Sequence, residues 1–116
     1  MKILLDECVD QKLRLHFSEY DCQTAAYAKL DGLKNGVLLA AAEAAGFDVL
    51  ITTDQEIPYQ QNLVGCRISI VILCGRTNRL TDLQKLVPAV LGVLPSILAG
   101  SVVRLLAQQG EDSVRD

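Results

Sequence analysis

The apolar positions of this chain change period along its length, and those changes predict the order of its elements. Lys2 to Leu5 is a short apolar run that stops at two adjacent acids, Asp6-Glu7, which suits a buried parallel strand. Val9, Leu13 and Phe17 then recur at i, i+4 and i+8, one face of a helix. Asp21 to Thr24 predicts a second strand and Ala25 to Leu30 a small helix, followed by the turn formers of Asp31-Gly32-Leu33-Lys34-Asn35-Gly36. Val37 to Ala45 is rich in Leu and Ala and predicts a helix, with Gly46 as its stop. Asp48 to Asp54 is the clearest strand, β-branched and ending on an acid. A polar loop through Pro58 to Asn62 leads to a strand over Arg67 to Leu73. Thr81-x-x-Gln84 has capping-box form and opens a helix with Leu83, Leu86, Val87, Val90, Leu91 and Leu94 as its apolar positions. Pro88 should kink it, and Pro95 should begin a second segment that Gly100 ends. Val102 to Leu106 closes the pattern as a last strand, which sets a domain over residues 1–107 and a polar, flexible tail over 108–116.

Strands alternating with helices in this way predict an α/β fold, a mainly parallel central sheet flanked by helices on both faces. Right-handed crossovers limit its topology. The 116 residues make one domain, and 50% hydrophobic against 22% charged residues exclude a disordered chain. With aromatics at 4% and no Trp, the core must be Leu, Val, Ile and Ala. A net charge of −3 argues against a broadly basic nucleic-acid surface, and leaves room for a local site. Cys8, Cys22, Cys66 and Cys74 form no C-x-x-C pair and His16 is the one histidine, which argues against zinc. Buried, reduced thiols in a cytoplasmic protein are the expectation. The apolar start is too short for a signal peptide. Leu86 to Val103 carries no charge, but Pro88, Gly92, Pro95 and Gly100 break it, so it reads as buried helix and strand rather than a membrane span. It is also more apolar than one buried face needs: either it is buried on several sides, or a face is left for a homodimer or another partner.

In an open parallel sheet, ligands sit beyond the carboxyl ends of the strands. The first strand ends at Asp6-Glu7, the third at Thr52-Thr53-Asp54, and the fourth leads into Cys74-Gly75-Arg76-Thr77-Asn78. Asp6 and Asp54 thus fall on one rim despite their separation in sequence. Carboxylates so placed repel one another unless a cation or proton intervenes. An all-oxygen set favours Mg²⁺ or Mn²⁺. The plainer alternative is that each acid caps the segment after it. Asp48 opens its strand, about 20 Å from Asp54 by strand rise. Glu43 lies about 12 Å down its helix from Asn35. Both belong to the far end, on solvated faces.

Asp6-Glu7 and Thr53-Asp54 at strand ends, with the segments LKNG (Leu33 to Gly36), ITTD (Ile51 to Asp54) and PYQQN (Pro58 to Asn62), resemble the compact PIN-like family, over the chain up to about Leu106. The resemblance implies a three-layer α/β sandwich related to PIN-domain ribonucleases, which hydrolyse RNA with clustered acids and Mg²⁺ or Mn²⁺. It also implies a toxin held inactive by an antitoxin protein. Carried over by position, Asp6 and Asp54 are metal ligands and Glu7 is a further ligand or a neighbour that accepts a hydrogen bond. Thr53 stands beside Asp54 as a substrate contact. Where many relatives carry an acid at the start of the third helix, this chain has Lys34-Asn35-Gly36. Asn35 still offers a carbonyl oxygen, while Lys34 adds a positive charge; each weakens metal binding. Lys34 suits a phosphate instead, as do Arg76 and Asn78 after the fourth strand unless they belong to a plain exposed loop, which is the better reading for Arg79.

Two further classes follow from the same residues. A catalytically weakened module would keep the fold and act by binding protein or RNA. A phospho-receiver would use Asp6, Glu7 and Asp54, but needs a Lys at the end of the last strand, where Leu105-Leu106 stand.

Overall fold

Five segments of four to six residues, mostly apolar except the polar second, become the strands of one sheet: β1 (Lys2–Leu5), β2 (Asp21–Thr24), β3 (Val49–Thr52), β4 (Ser69–Cys74) and β5 (Val102–Leu106). The computed structural model describes residues 1–57 and 65–107, and orders them β2-β1-β3-β4-β5 with every neighbouring pair parallel. β3 and β4 are buried at every position, which is why they read as unbroken aliphatic runs rather than as alternation. The tail over 108–116 and the PYQQN segment lie outside the described residues.

Alternation still decides which face each side chain joins. Ile3, Leu5, Val49, Ile51, Val71 and Leu73 pack on Leu13 and Phe17 of a 3-10 helix (Gln11–Phe17) and on helices α2 (Leu80–Gln84) and α3 (Val87–Val93). Leu4, Leu50, Ile70 and Ile72 face the opposite way, onto Leu38, Leu39 and Ala42 of α1 (Asn35–Ala44). The architecture is a three-layer α/β sandwich. Each fully buried Leu or Ile stabilises it by about 1.5–3 kcal/mol, so the sheet is held from both sides. α1 ends as the sequence requires: Gly46 takes φ 88°, its N–H bonds Glu43 O at 3.0 Å, and Phe47 N–H bonds Ala42 O at 3.0 Å while its ring enters the core.

Several local expectations are corrected. Val9, Leu13 and Phe17 are all buried as their spacing demands, but the segment winds as a 3-10 helix. Ala25 to Leu30 is a series of turns, with Lys29 at φ 62°, and forms no helix. Thr81 is not a cap. α2 begins one residue earlier, and Thr77 Oγ1 accepts from Arg79 N–H and donates to the Asp82 carboxylate instead. That hydroxyl, ahead of Lys85, Arg76 and Arg79, holds the Asp82 carboxyl below its usual range. Pro88 does not kink one helix but starts a second. A ring at that position would strike the carbonyl of Gln84, and α2 stops there. The crossovers do not all share a hand. The β1–β2 and β4–β5 connections run in opposite directions across the sheet, yet both lie on the 3-10 helix face, so their hands are opposite. The β2–β3 connection, reversed in direction and covered by α1 on the other face, agrees with β1–β2.

The thiols depart from expectation too. All four are free, but Cys8 is exposed, Cys22 and Cys66 are half-buried, and only Cys74 is buried. Burial pushes the Cys22 thiol up to about 11, with Arg14 opposing weakly. In the apolar stretch after Lys85, Leu86, Val87, Val90 and Leu94 are buried while Leu91 and Leu98 reach the surface. Among the described residues, no helix is long and apolar enough to cross a membrane.

Candidate functional site

Strand order reverses between β1 and β3: the chain leaves β1 towards β2 on one side, and β3, β4 and β5 follow on the other. A crevice opens at such a point above the carboxyl ends of the strands. Asp6 directly follows β1, and its N–H continues the ladder to Ile51 O at 2.9 Å. Asp54 follows β3 by two residues. By strand period Asp6 shares a face with Leu4, and Asp54 with Leu50 and Thr52, so both acids turn to the α1 side.

One hydroxyl ties them together. Thr52 is fully buried, and its Oγ1 donates to Asp6 Oδ2 at 2.7 Å while accepting the Asp54 N–H at 3.0 Å. Cys8 Sγ lies 3.5 Å from the same oxygen. Asp6 Oδ1 accepts the N–H of Glu7 at 2.8 Å, and Asp54 Oδ1 that of Glu56 at 2.9 Å. Each carboxylate is therefore fixed in orientation by the protein. The capping alternative is half right: Asp54 caps the turn after it, but the 3-10 helix is capped by Asp10, whose Oδ1 accepts Lys12 N–H at 2.9 Å.

Asp6, Glu7, Cys8, Lys34 and Asp54 line one cleft of about 380 Å³, walled by Leu38 and Ile57. A neighbouring cleft of about 460 Å³ shares Asp6, Glu7 and Cys8 and reaches Asn78 from the β4–α2 loop. Lys34 is the residue that precedes α1, and Asn35 opens the helix directly after it. No ion pair joins Lys34 to Asp6 or Asp54 among the described residues. Glu7 is exposed at the edge of both clefts, and its Oε1 accepts Gly32 N–H at 3.2 Å, bracing the loop that carries Lys34.

Other predicted site residues stand apart. Thr53 is buried and lines neither cleft, because one step along a strand reverses the face. Arg76 and Arg79 are exposed, with their charges beside Asp82. Asp48 lies at the opposite end as expected, accepting Lys2 N–H at 2.8 Å. Glu43 is at that end too but is not merely solvated, since its Oε1 accepts the N–H groups of Arg67 at 2.9 Å and Ile68 at 3.3 Å.

The residue that sequence reasoning missed is Thr52. Its signal was available: two residues before Asp54, it shares that acid's face. Thr52→Val should leave Asp6 Oδ2 and the Asp54 N–H without this partner at little change in volume. The expected cost is about 1–3 kcal/mol in urea denaturation, largely restored by Thr52→Ser. An unchanged midpoint for Thr52→Val would remove the bridge from the account.

The donor set can be tested against a divalent ion. Among the described residues, no three His, Cys, Asp or Glu side chains group closely enough to hold a metal. Mg²⁺ often needs no such cage, since it keeps several waters and binds through one or two carboxylates plus substrate phosphates. Asp6 and Asp54, both oriented and both lining the 380 Å³ cleft, fit that sparser mode. No family model, curated protein or solved structure gives a significant match to this chain.

Proposed function

We propose that this chain is a Mg²⁺- or Mn²⁺-dependent nuclease of PIN-like type that hydrolyses RNA. The observation that supports it is the pairing of Asp6 with Asp54 over one cleft at the strand-order reversal, each with its carboxylate already oriented. Asp6 and Asp54 would hold the ion. When bound, it supplies positive charge to a phosphodiester and lowers the pKa of a coordinated water. Thr52 holds the Asp6 carboxylate in place, Lys34 meets a phosphate oxygen on one side of the cleft, and Asn78 meets the strand on the other. Glu7 acts in this reading as the brace of the Lys34 loop. The same reading includes a cytoplasmic toxin restrained by an antitoxin, with Leu91 and Leu98 exposed for that partner or for a second copy of the chain.

A calorimetric Mn²⁺ titration tests the claim. Wild type should bind one ion, and Asp54→Asn should bind it at least about tenfold more weakly. Equal binding by both proteins, or binding by neither, would end the metal reading.

One observation favours a second reading. The acid that many PIN-like relatives carry at the start of the third helix is replaced by Lys34-Asn35-Gly36, and Lys34 lines the cleft, which suits a catalytically weakened PIN-like module that binds RNA or protein. RNA that is bound but never cut in Mn²⁺ would select it.

A further inference from the structure

The clefts at Asp6 do not end at Asn78. The second of them shares Gln11, Thr24 and Ala26 with a third and larger groove of about 680 Å³. β2 is an edge strand, and all four of its residues line this groove, so the groove runs along the sheet's open side. Arg14 reaches it from the 3-10 helix and Tyr27 from the turn after β2. The path from Asp54 across Asp6 to β2 covers two strand spacings, about 10 Å.

Tyr27 is the unusual feature. It is 77% exposed in a chain with few aromatic residues, and its backbone is not loose. Tyr27 N–H bonds Thr24 Oγ1 at 3.1 Å, Ala28 N–H bonds Thr24 O at 3.0 Å, and Leu30 N–H bonds Ala25 O at 2.8 Å. Ala25 is itself buried and tied to Leu5 O at 2.9 Å. A solvent-facing ring is thus carried on a turn anchored to β1.

We infer that the β2 groove is a subsite for one unpaired base of a single-stranded nucleic acid, which stacks on Tyr27 with its phosphate at Arg14. The choice of ligand rests on the nuclease reading, since the strand continues over Gln11 and Thr24 to Asp6. Stacking suits any base, because every base has a π-face, and a guanidinium pairs with phosphate by geometry as well as charge. A duplex offers no free face in its interior. Asp10 and Asp21, which line the route, repel a backbone laid over them. They suit the amino groups of base edges, which carboxylates accept. Arg14 supplies the positive charge in the groove for the phosphate. Cys22, on the same wall, stays a neutral thiol at ordinary pH and adds no charge. A peptide strand added to the β2 edge is the competing occupant. It accounts for the open edge but not for the continuity with the acid cleft or for the exposed ring.

Fluorescence anisotropy of a short labelled RNA with the full chain tests this, with EDTA present so that nothing is cut. Single strand should bind more tightly than the same sequence as duplex. Tyr27→Ala should weaken binding about five- to tenfold, within the range of one lost stack, and Tyr27→Phe should not. Arg14→Gln should weaken it and flatten the salt dependence. Thermal melts confirm that each variant folds. If wild type binds and both Tyr27→Ala and Arg14→Gln bind equally well, the subsite is overturned and the nuclease reading stands. If binding depends on Tyr27 but Mn²⁺ never brings cleavage, the subsite stands and the nuclease reading falls. If no RNA binds, the subsite is overturned and the groove passes to a peptide strand.

Discussion

Asp6→Asn is expected to remove Mn²⁺-dependent cleavage of RNA, by at least about a hundredfold, in a protein that still folds. The substitution keeps the shape of the side chain and takes away its charge. The amide oxygen can still accept the Glu7 N–H, and the amide nitrogen comes to lie beside Thr52 Oγ1, the oxygen that also meets the Asp54 N–H and the Cys8 thiol. What is lost is the negative charge that faces Asp54 across the cleft. Cleavage of a mixed RNA pool, wild type against variant and with matched thermal melts, reads the effect. Equal cleavage by the two preparations would mean that a contaminating nuclease, or a site elsewhere, does the work. The proposal would then lose its central residue.

The second large effect concerns the fold. Phe17→Ala should destabilise the protein by about 3–5 kcal/mol, because Phe17 is fully buried at the end of the 3-10 helix and fills one of the two cores. That is a large share of the roughly 5–15 kcal/mol that holds a domain together. The melting temperature should fall by roughly 10–25 °C. Leu15→Ala, two residues earlier and 67% exposed, is the control and should change stability by no more than about 0.5 kcal/mol. A small effect at Phe17 would mean that the 3-10 segment packs more loosely on β1 and β3 than its burial indicates. The first variant tests chemistry without touching the core, and the second tests the core without touching the cleft.

Much of this was legible in the residue pattern because it depends on local chemistry. The ends of β2 and β5 follow from short runs bounded by polar or turn residues. Gly46 stops α1 because a left-handed residue closes a helix at little cost when it has no Cβ. The position of Asp6 and Asp54 on one rim follows from strands that end on acids, once the strands are parallel. Where reading failed, distant groups had intervened. The capping box at Thr81 had the right letters, but α2 begins at Leu80, and Thr77 just before it ties the Arg79 N–H to the Asp82 carboxylate of the first turn. Glu43 looked solvated until the entry of β4 brought two backbone N–H groups to it. Thr53 adjoins Asp54 in sequence, but alternation of faces puts Thr52, not Thr53, on the side of that acid.

The division between the two levels is physical. Hydrophobic period, β-branching and turn formers act over a few residues, so the chain alone determined that it would build five strands, a central sheet covered on both faces, and an acidic rim. Strand order, the hand of the last crossover and the meeting of Thr52 with Asp6 depend on contacts between segments far apart in sequence. Their energies come from shared burial and from hydrogen bonds that exist only after the sheet has assembled. Tertiary structure therefore decided which acid faces which, and turned Glu7 towards Gly32 rather than leaving it free in the cleft.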